Sequence, residues 1–249
     1  MNIKVPGDVF SDVAEDYVKY RTGYPDELIR FILAQTPGRA AAWDCGAGNG
    51  QTAKLLSPFF EKVYATDVSE KQLARAPRLD NVAYSTGAAE NSGLPSESCD
   101  LIVSSQAAHW FDMEAAAREF RRVAKADAVV AFWGYSPPRF NPSIDSLFDE
   151  FYFDVLGPYW DERRRLVDDR YRTLHFPFNE IPTMEFVHAV AFDLESFAGY
   201  LRTWSAVGAY LKANGHDPVV ALVEKLKPLW QGRVRGAYPI FLRMGVVRD

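Results

Sequence analysis

Short apolar runs alternate with helix-like segments through the first 135 residues, and this rhythm restricts the possible fold more than any other feature. The apolar runs have the length of buried strands and lie at residues 40–45, 62–66, 82–86, 100–104 and 128–135. Helical periodicity fills most of the intervals between them. Strands that alternate with helices form βαβ units, whose strands pair in parallel. We therefore predict an α/β fold in which a mostly parallel sheet carries helices on both faces.

The pattern changes after residue 135, where Pro137-Pro138 interrupts the chain. The later segments predict an aromatic-rich helix at 143–156, a strand at 184–192, a helix at 194–211 and a closing strand at 238–247. No clear linker divides the sequence, so we expect a single domain over residues 1–249. Its parts are a core at 10–135, a helical cap inserted after the fifth strand at 136–235, and a closing strand at 236–249.

Composition narrows the classes of function. The net charge of −5 argues against a nucleic-acid partner, because a surface that binds nucleic acid is basic. No apolar run approaches the roughly 18 residues of a membrane span, and the first residues lack the apolar segment of a signal peptide. Cys45 and Cys99 both lie in strand-like runs, as buried thiols do in a reducing cytosol. We expect a cytoplasmic protein, monomeric or homodimeric, with a small-molecule partner.

A glycine-rich turn follows the first predicted strand. Gly46, Gly48 and Gly50 are spaced G-x-G-x-G, and Asp44 stands two residues before the first. Dinucleotides and S-adenosylmethionine (SAM) both bind such turns, but the dinucleotide pattern G-x-G-x-x-G has Gln51 in its third glycine position here. Asp44 would repel a pyrophosphate, whereas it suits the ammonium group of SAM, directly or through water. A tight turn with no ligand is the alternative.

Two further acidic residues follow later strands. Asp67 ends the second strand 17 positions after Gly50, where a carboxylate can accept both ribose hydroxyls, although a dinucleotide protein would also have this acid. Its alternative role is to start the next helix. After the third strand, Ala89 is expected to offer a backbone N–H to an adenine edge, and Glu90 either contacts the ligand or serves as a cap or a solvated side chain. Both belong to a loop at the carboxyl edge of the sheet, where ligands of open α/β sheets bind.

Four segments carry a specific resemblance: YVKYRTGYP, WDCGAGNGQTAKLL, VYATDVSEKQLARA and GAAENSGLPSESCDLIVSSQAAHWFD. They resemble the class I SAM-dependent methyltransferases, and among these the small-molecule, type 11 branch that includes trans-aconitate methyltransferase. The resemblance implies a Rossmann-like, seven-stranded sheet whose last strand is antiparallel. It also implies SAM as methyl donor, S-adenosyl-L-homocysteine as product, and a small acceptor that is often a carboxylic acid. Many relatives have an acid at the position of Ala88, so a side-chain contact to the adenine amine is not expected here.

The predicted cofactor site combines the motif residues with an N-terminal segment. In the family such a segment folds over the cofactor, where an aromatic residue and an arginine can hold the methionine part, although a surface helix docked on the sheet is the alternative. The predicted cofactor-binding residues are Tyr20, Arg21, Asp44, Cys45, Gly46, Ala47, Gly48, Asp67, Val68, Ala89, Glu90 and Gln106.

The acceptor side is predicted from the end of the fourth strand and from aromatic residues of the cap. His109 is a candidate general base or acceptor contact, with a loop histidine bonded to backbone as the alternative, and Gln106 is a candidate catalytic residue near the sulfonium. Methyl transfer from a sulfonium is an in-line displacement, and a carboxylate acceptor needs no base because it is ionised at pH 7. The predicted pocket walls are Trp110, Trp133, Tyr135, Trp204 and Ser205.

Two other functions stay open at this stage. An NAD(P)-dependent oxidoreductase shares the strand, the glycine turn and Asp67, but no hydride-site pair such as Tyr-x-x-x-Lys is evident. A non-catalytic SAM-binding protein would keep the same glycines. The four histidines show no ligand spacing, so no metal site is predicted.

Overall fold

The structure is a computed structural model that describes residues 23–247, in which eight strands form one sheet in the order β3-β2-β1-β4-β5-β8-β6, with β7 also paired to β8. The strands are β1 (Ala41–Cys45), β2 (Lys62–Asp67), β3 (Val82–Thr86), β4 (Cys99–Ser105), β5 (Ala124–Tyr135), β6 (Asn179–Ile181), β7 (Phe186–Phe192) and β8 (Val234–Val246). The first five pair in parallel and the last three are antiparallel, which confirms the mostly parallel, Rossmann-like fold.

Nine α-helices surround the sheet in the described part of the chain. They are α1 (Asp26–Gln35), α2 (Gln51–Leu56), α3 (Glu70–Leu73), α4 (Met113–Val123), α5 (Pro142–Asp149), α6 (Arg164–Asp168), α7 (Leu194–Arg202), α8 (Ser205–Asn214) and α9 (Pro218–Leu226). Both faces of β1 are covered: Ala42 packs in one hydrophobic cluster with residues of α1 and α2, whereas Trp43 packs in the other with residues of α4. A strand buried on both faces reads as a mostly apolar run, here with Asp44 as its one charged residue, which is why the sequence predicted it.

The sheet has eight strands instead of the expected seven because one strand position is split. β6 and β7 lie along the same edge of β8, opposite Met244–Val246 and Val234–Ile240 respectively. Pro182 directly follows β6 and has no N–H to donate to the ladder. Thr183 instead donates its hydroxyl hydrogen to the carbonyl oxygen of Leu242, at 2.8 Å.

The cap differs from the prediction in its helix boundaries. The helix expected at 143–156 is α5 followed by a π-helical turn, Glu150–Val155, and the helix expected at 194–211 is two helices, α7 and α8. Trp204 separates α7 from α8 with an extended backbone (φ −78°, ψ 135°). Most aromatic residues of the cap belong to the same hydrophobic cluster as α1 and one face of the sheet, whereas Tyr171, Phe176 and Phe178 pack in the other cluster.

Within residues 23–247, every helix falls short of the length and apolar character that crossing a membrane requires.

Candidate active site

A cavity of about 570 Å³ opens at the carboxyl ends of the parallel strands. It is lined by the segments that follow β1, β2, β3, β4 and β5 and by residues of the cap. The strand order reverses between β1 and β4, and ligands of open α/β sheets bind at such a switch point. The cavity therefore lies where the topology favours a ligand.

The glycine turn forms one wall of the cavity. Gly46 and Gly48 have positive φ angles of 74° and 54°, which residues with a Cβ rarely adopt. A Cβ on Gly46 would lie 2.6 Å from the Cβ of Ala107, so this position packs tightly against the segment after β4. A Cβ on Gly48 would meet no protein atom within 4 Å. No atom of the described residues therefore covers the backbone of Gly48 on this side. A ligand that lies against the main chain requires such free space.

Asp67 ties this turn to the end of β2. One carboxylate oxygen accepts a hydrogen bond from the amide of Gly48 at 2.8 Å, and the other accepts one from the amide of Ser69 at 2.8 Å. Burial raises the pKa of Asp67, against the effect of these amides. Asp67, predicted to contact a ribose, and its neighbour Val68, predicted to bind the cofactor, both line the cavity.

Asp44 is buried completely, and neither carboxylate oxygen has a hydrogen-bond partner among residues 23–247. Burial raises the pKa of its carboxyl group to about 7, against the opposing effect of the nearby backbone amide of Ala53. An unpaired carboxylate in this position costs free energy in the ligand-free protein, and a cationic group near the turn would offset that cost. Asp44 does not line the cavity, so the structure favours an indirect contact to an ammonium group over a direct one.

Cys45 and Trp133 also do not line the cavity, in contrast to the prediction. Both are fully buried within the sheet. Trp133 lies two residues before the end of β5, and Tyr24 covers it edge to face, with ring centres 5.6 Å apart. Tyr135, at the end of the same strand, does line the cavity. Tyr20 and Arg21 lie outside the described residues, and their assignment stays a prediction.

The loop after β3 places two predicted residues at the cavity. Ala89 and Glu90 both line it. A carboxylate oxygen of Glu90 accepts a hydrogen bond from the amide of Asp112 at 2.8 Å, and Asp112 in turn caps the start of α4. Glu90 therefore combines the two roles considered for it, because it faces the cavity and also fixes the start of a helix.

Gln106 holds a strained position directly after β4. Its φ angle is 58°, uncommon for a residue with a side chain, and such strain clusters at functional sites. Its backbone amide donates to the carbonyl oxygen of Trp133 at 2.9 Å, and its side-chain amide donates to that of Tyr135 at 3.2 Å. These bonds fix the Gln106 side chain at the cavity wall between β4 and β5.

His109 lines the cavity beside Trp110 but is only 9% exposed. Its Nδ1 lies 3.0 Å from the phenol oxygen of Tyr171, which is fully buried. Burial, with the charges of Arg164 and Arg163, lowers the pKa of His109 to about 3. The imidazole is therefore neutral at physiological pH.

The cap closes the opposite side with aromatic rings and arginines. The guanidinium of Arg163 lies 5.4 Å from the ring centre of Trp110, and that of Arg164 lies 4.9 Å from the ring centre of Trp160. The predicted residues Trp204 and Ser205 line the same side. Arg163 and Arg164 both line the cavity, and so does Asp161, whose carboxylate accepts a hydrogen bond from the amide of Arg163 at 2.9 Å.

Sequence reasoning missed the arginines and Tyr171. Arg163 and Arg164 belong to the segment WDERRR, which reads as an exposed polar stretch after the aromatic-rich helix. Its tryptophan next to consecutive arginines was the available signal, since guanidinium groups stack on aromatic rings. Tyr171 gave no sequence signal, because its contact to His109 spans 62 positions.

Comparison with known proteins agrees with this geometry. Residues 43–132 match the model of the methyltransferase domain family. The chain is 30% identical over 223 residues to a Dictyostelium discoideum protein named as a methyltransferase, with 88% of this chain and 85% of that protein covered. It is 24% identical over 251 residues to a Saccharomyces cerevisiae protein named as an S-adenosylmethionine-dependent methyltransferase, with 86% of each covered.

A solved structure described as a type II methyltransferase from Anaeromyxobacter dehalogenans is 37% identical to this chain. The two superpose with a TM-score of 0.85, covering 91% of this chain and 98% of that one. The fold and the cavity thus define a class I SAM-dependent methyltransferase. The chain belongs to the methyltransferase domain family, and this membership decides between the two ligand classes in favour of SAM.

The residues present fit SAM. The orphaned carboxylate of Asp44, the open space above Gly48 and the carboxylate of Asp67 at the cavity wall are the features that such a ligand requires. We expect the glycine turn to hold the methionine part and Asp67 to accept the ribose hydroxyls.

Proposed function

We propose that this chain transfers the methyl group of SAM to a carboxylate oxygen of a small organic acid. The observation that carries the proposal is that a neutral histidine and two arginines line the same cavity. His109, with its pKa held at about 3, is a poor acceptor of protons at pH 7. An amine or phenol acceptor generally needs a base, whereas a carboxylate is already ionised.

The arginines support an anionic acceptor. Arg164 is held by Asp168 and by the hydroxyl of Tyr152, at 3.2 and 2.9 Å from its Nε. Arg163 has no ion-pair partner among the described residues and rests on the ring of Trp110. A guanidinium binds a carboxylate through two parallel hydrogen bonds. Arg163 therefore supplies the contact to an acidic group of the acceptor.

Positioning and exclusion of water supply most of the catalysis in such a displacement. Bound SAM provides an electrophilic methyl group, and its transfer leaves S-adenosyl-L-homocysteine as the second product. Gln106 is assigned to the neighbourhood of the sulfonium, and the acceptor pocket to the walls formed by Trp110, Tyr135, Trp204 and Ser205.

A small-acid acceptor agrees with the resemblance to the branch that includes trans-aconitate methyltransferase, and we extend the proposal to membership of that branch. The buried free thiols of Cys45 and Cys99 support a cytoplasmic location. The proposal involves neither nucleic acid nor a membrane as partner, and it applies to a monomer or a homodimer.

The test is incubation with methyl-labelled SAM and matched panels of mono- and dicarboxylic acids, primary amines and phenols. We expect label on carboxylic acids, and mild alkali should release it as methanol because methyl esters hydrolyse. Alkali-stable label on amines or phenols would overturn the carboxylate proposal. Tight SAM binding with label on no compound would favour the non-catalytic alternative.

Arg163→Gln tests the acceptor contact. We expect the KM for the acid to rise about tenfold, through loss of a charge-assisted contact, with SAM affinity unchanged. Arg165→Gln is the matched control, since Arg165 is exposed on the same turn and does not line the cavity. Equal effects of the two substitutions would remove Arg163 from the acceptor site.

A further inference from the structure

We propose that Tyr171 is a positioning residue that holds His109 with its proton on Nε2, so that His109 donates a hydrogen bond to the acceptor carboxylate. The tautomer follows from contacts within the chain. The donation to a carboxylate rests on the proposed function.

The tautomer is argued from the phenol group of Tyr171. The residue is fully buried, and His109 Nδ1, at 3.0 Å, is the partner of its hydroxyl among the described residues. The amides of His109 and Ala108 face the same oxygen, and amides only donate. The hydroxyl hydrogen needs an acceptor, because buried polar hydrogens in proteins are almost always bonded. It therefore points to Nδ1, and the imidazole proton must reside on Nε2.

Contacts with neighbouring segments hold Tyr171 in a strained backbone conformation. Arg170 and Tyr171 both have positive φ angles, 56° and 59°, a strained conformation for residues with side chains. Arg243 donates hydrogen bonds to the carbonyl oxygens of Tyr171 and Leu174, at 2.8 and 2.7 Å. The ring of Phe241 packs edge to face on Tyr171, with ring centres 5.0 Å apart. A strained corner held by so many contacts points to a role for the side chain that it presents.

The contact to Tyr171 also determines what the other ring nitrogen of His109, Nε2, can do. His109 lines the cavity, and Tyr171 occupies Nδ1, so Nε2 is the nitrogen available to a ligand. As an N–H group it donates and cannot accept a proton. A donor of this kind orients one carboxylate oxygen and leaves the other to attack the methyl group. His109 then acts as a contact that orients the acceptor, and the general-base role considered from the sequence is set aside.

Long-range 1H–15N spectra of the labelled full-length protein test the tautomer without any substrate. The chain has four histidines, and loss of one set of signals in His109→Gln assigns those of His109. We expect Nε2 to carry the proton between pH 5 and 8, and Tyr171→Phe to give a mixture of tautomers. A proton on Nδ1 in the wild type, or an unchanged tautomer in Tyr171→Phe, would overturn the proposal.

Kinetics test the role of the tautomer. Tyr171→Phe should lower kcat about fivefold to tenfold with SAM affinity unchanged, as expected for the loss of one hydrogen bond. Tyr84→Phe is the control, because its buried hydroxyl has no partner among the described residues and it does not line the cavity. If kcat decreased equally in Tyr84→Phe, the effect of Tyr171→Phe would be explained by a general loss of packing and not by the contact to His109.

Two substitutions at His109 separate a donor from a base. The side-chain amide of Gln places an N–H close to the Nε2 position, so His109→Gln should retain most of kcat, whereas His109→Leu should lose roughly tenfold or more. Equal losses in both variants would indicate a base and contradict the proposal. If the wild type methylates no acid, the proposed function fails, while the spectra still decide the tautomer.

Discussion

At the scale of single residues, Asp44 shows how the cofactor site is built at the expense of stability. Its carboxyl group is buried without a partner, and burial raises its pKa from 3.8 to about 7. Between these two pH values the folded protein holds a proton that the unfolded chain has lost. The free energy of unfolding therefore falls as the pH rises through this window, by up to about 4 kcal/mol.

Asp44→Asn should consequently stabilise the ligand-free protein at pH 8 by about 1–3 kcal/mol, because a neutral amide costs less to bury than a charge. The gain should become small at pH 4, where the carboxyl group of the folded protein is protonated and no charge is buried. SAM affinity should fall in the same variant. Urea unfolding at both pH values, with calorimetry of SAM binding, measures these effects. A gain that is equal at pH 4 and pH 8 would show that the charge is not its cause.

Gly48 carries a second prediction at this scale. Gly48→Asn should weaken SAM binding at least tenfold, because the side chain enters the open space next to the glycine turn, and Asn tolerates a positive φ better than most residues. Gly215→Asn is the matched control, since Gly215 also has a positive φ and no atom near its missing Cβ, but caps α8 away from the cavity. Unchanged SAM affinity in folded Gly48→Asn protein would remove the turn from the site.

At the scale of elements, Glu119 on α4 anchors the loop that carries Ala89 and Glu90. It accepts hydrogen bonds from the amide and the hydroxyl of Ser92, at 2.9 and 2.5 Å, and from Nε of Arg122 at 2.7 Å. Arg122, followed by Ser92, lowers the pKa of Glu119 to about 2. A carboxyl group with a lowered pKa contributes stability above its usual pKa of 4.5, and that stability is lost as the pH falls towards 2.

Glu119→Gln should therefore lower the free energy of unfolding by about 1–3 kcal/mol at pH 7, and by less at pH 3. Glu114→Gln, on the same helix, should change it by less than about 0.5 kcal/mol, since the Glu114–Arg118 pair is exposed. Denaturant unfolding at the two pH values gives both quantities. A similar effect of the two substitutions would contradict the anchoring role.

The elements also show what the sequence can predict. The five parallel strands, all largely buried except the edge strand β3, were predicted from short strand-like runs between turn signals. The split of one strand at Pro182 and the break between α7 and α8 at Trp204 were not, since both depend on contacts with other segments. Trp133 was predicted to line the cavity because it is an aromatic residue near the end of the fifth strand. In the structure it lies deeper along β5 and is buried in the core.

At the scale of the whole molecule, β8 joins the two parts of the chain. It pairs with β5 of the core along one edge and with β6 and β7 along the other. The aromatic residues of the cap pack in the two hydrophobic clusters that cover the faces of the sheet. Both parts of the chain likewise form the cavity, because Arg163 lines it and Tyr171 holds His109 at its wall, and both lie far along the chain from the glycine motif. Periodicity and motifs locate the cofactor half of the site but cannot locate such long-range contributions.

We therefore expect one cooperative unfolding transition for the full chain, as for a single domain. Far-UV circular dichroism and tryptophan fluorescence should give the same midpoint in urea, because neither part can lose its packing alone. Two separated midpoints would show that the cap and the core unfold independently.

The interruption at Pro182 also bears on how copies of this protein behave when concentrated. β6 and β7 form one edge of the sheet, and the four residues between them belong to neither strand. The unpaired N–H and C=O groups of an edge strand can pair with a strand of another chain, and a long continuous edge strand favours such aggregation. Here an incoming strand would find only a three-residue and a seven-residue stretch to pair with. The missing N–H of Pro182 thus limits edge-to-edge pairing at this edge of the sheet, while β3 forms the other edge.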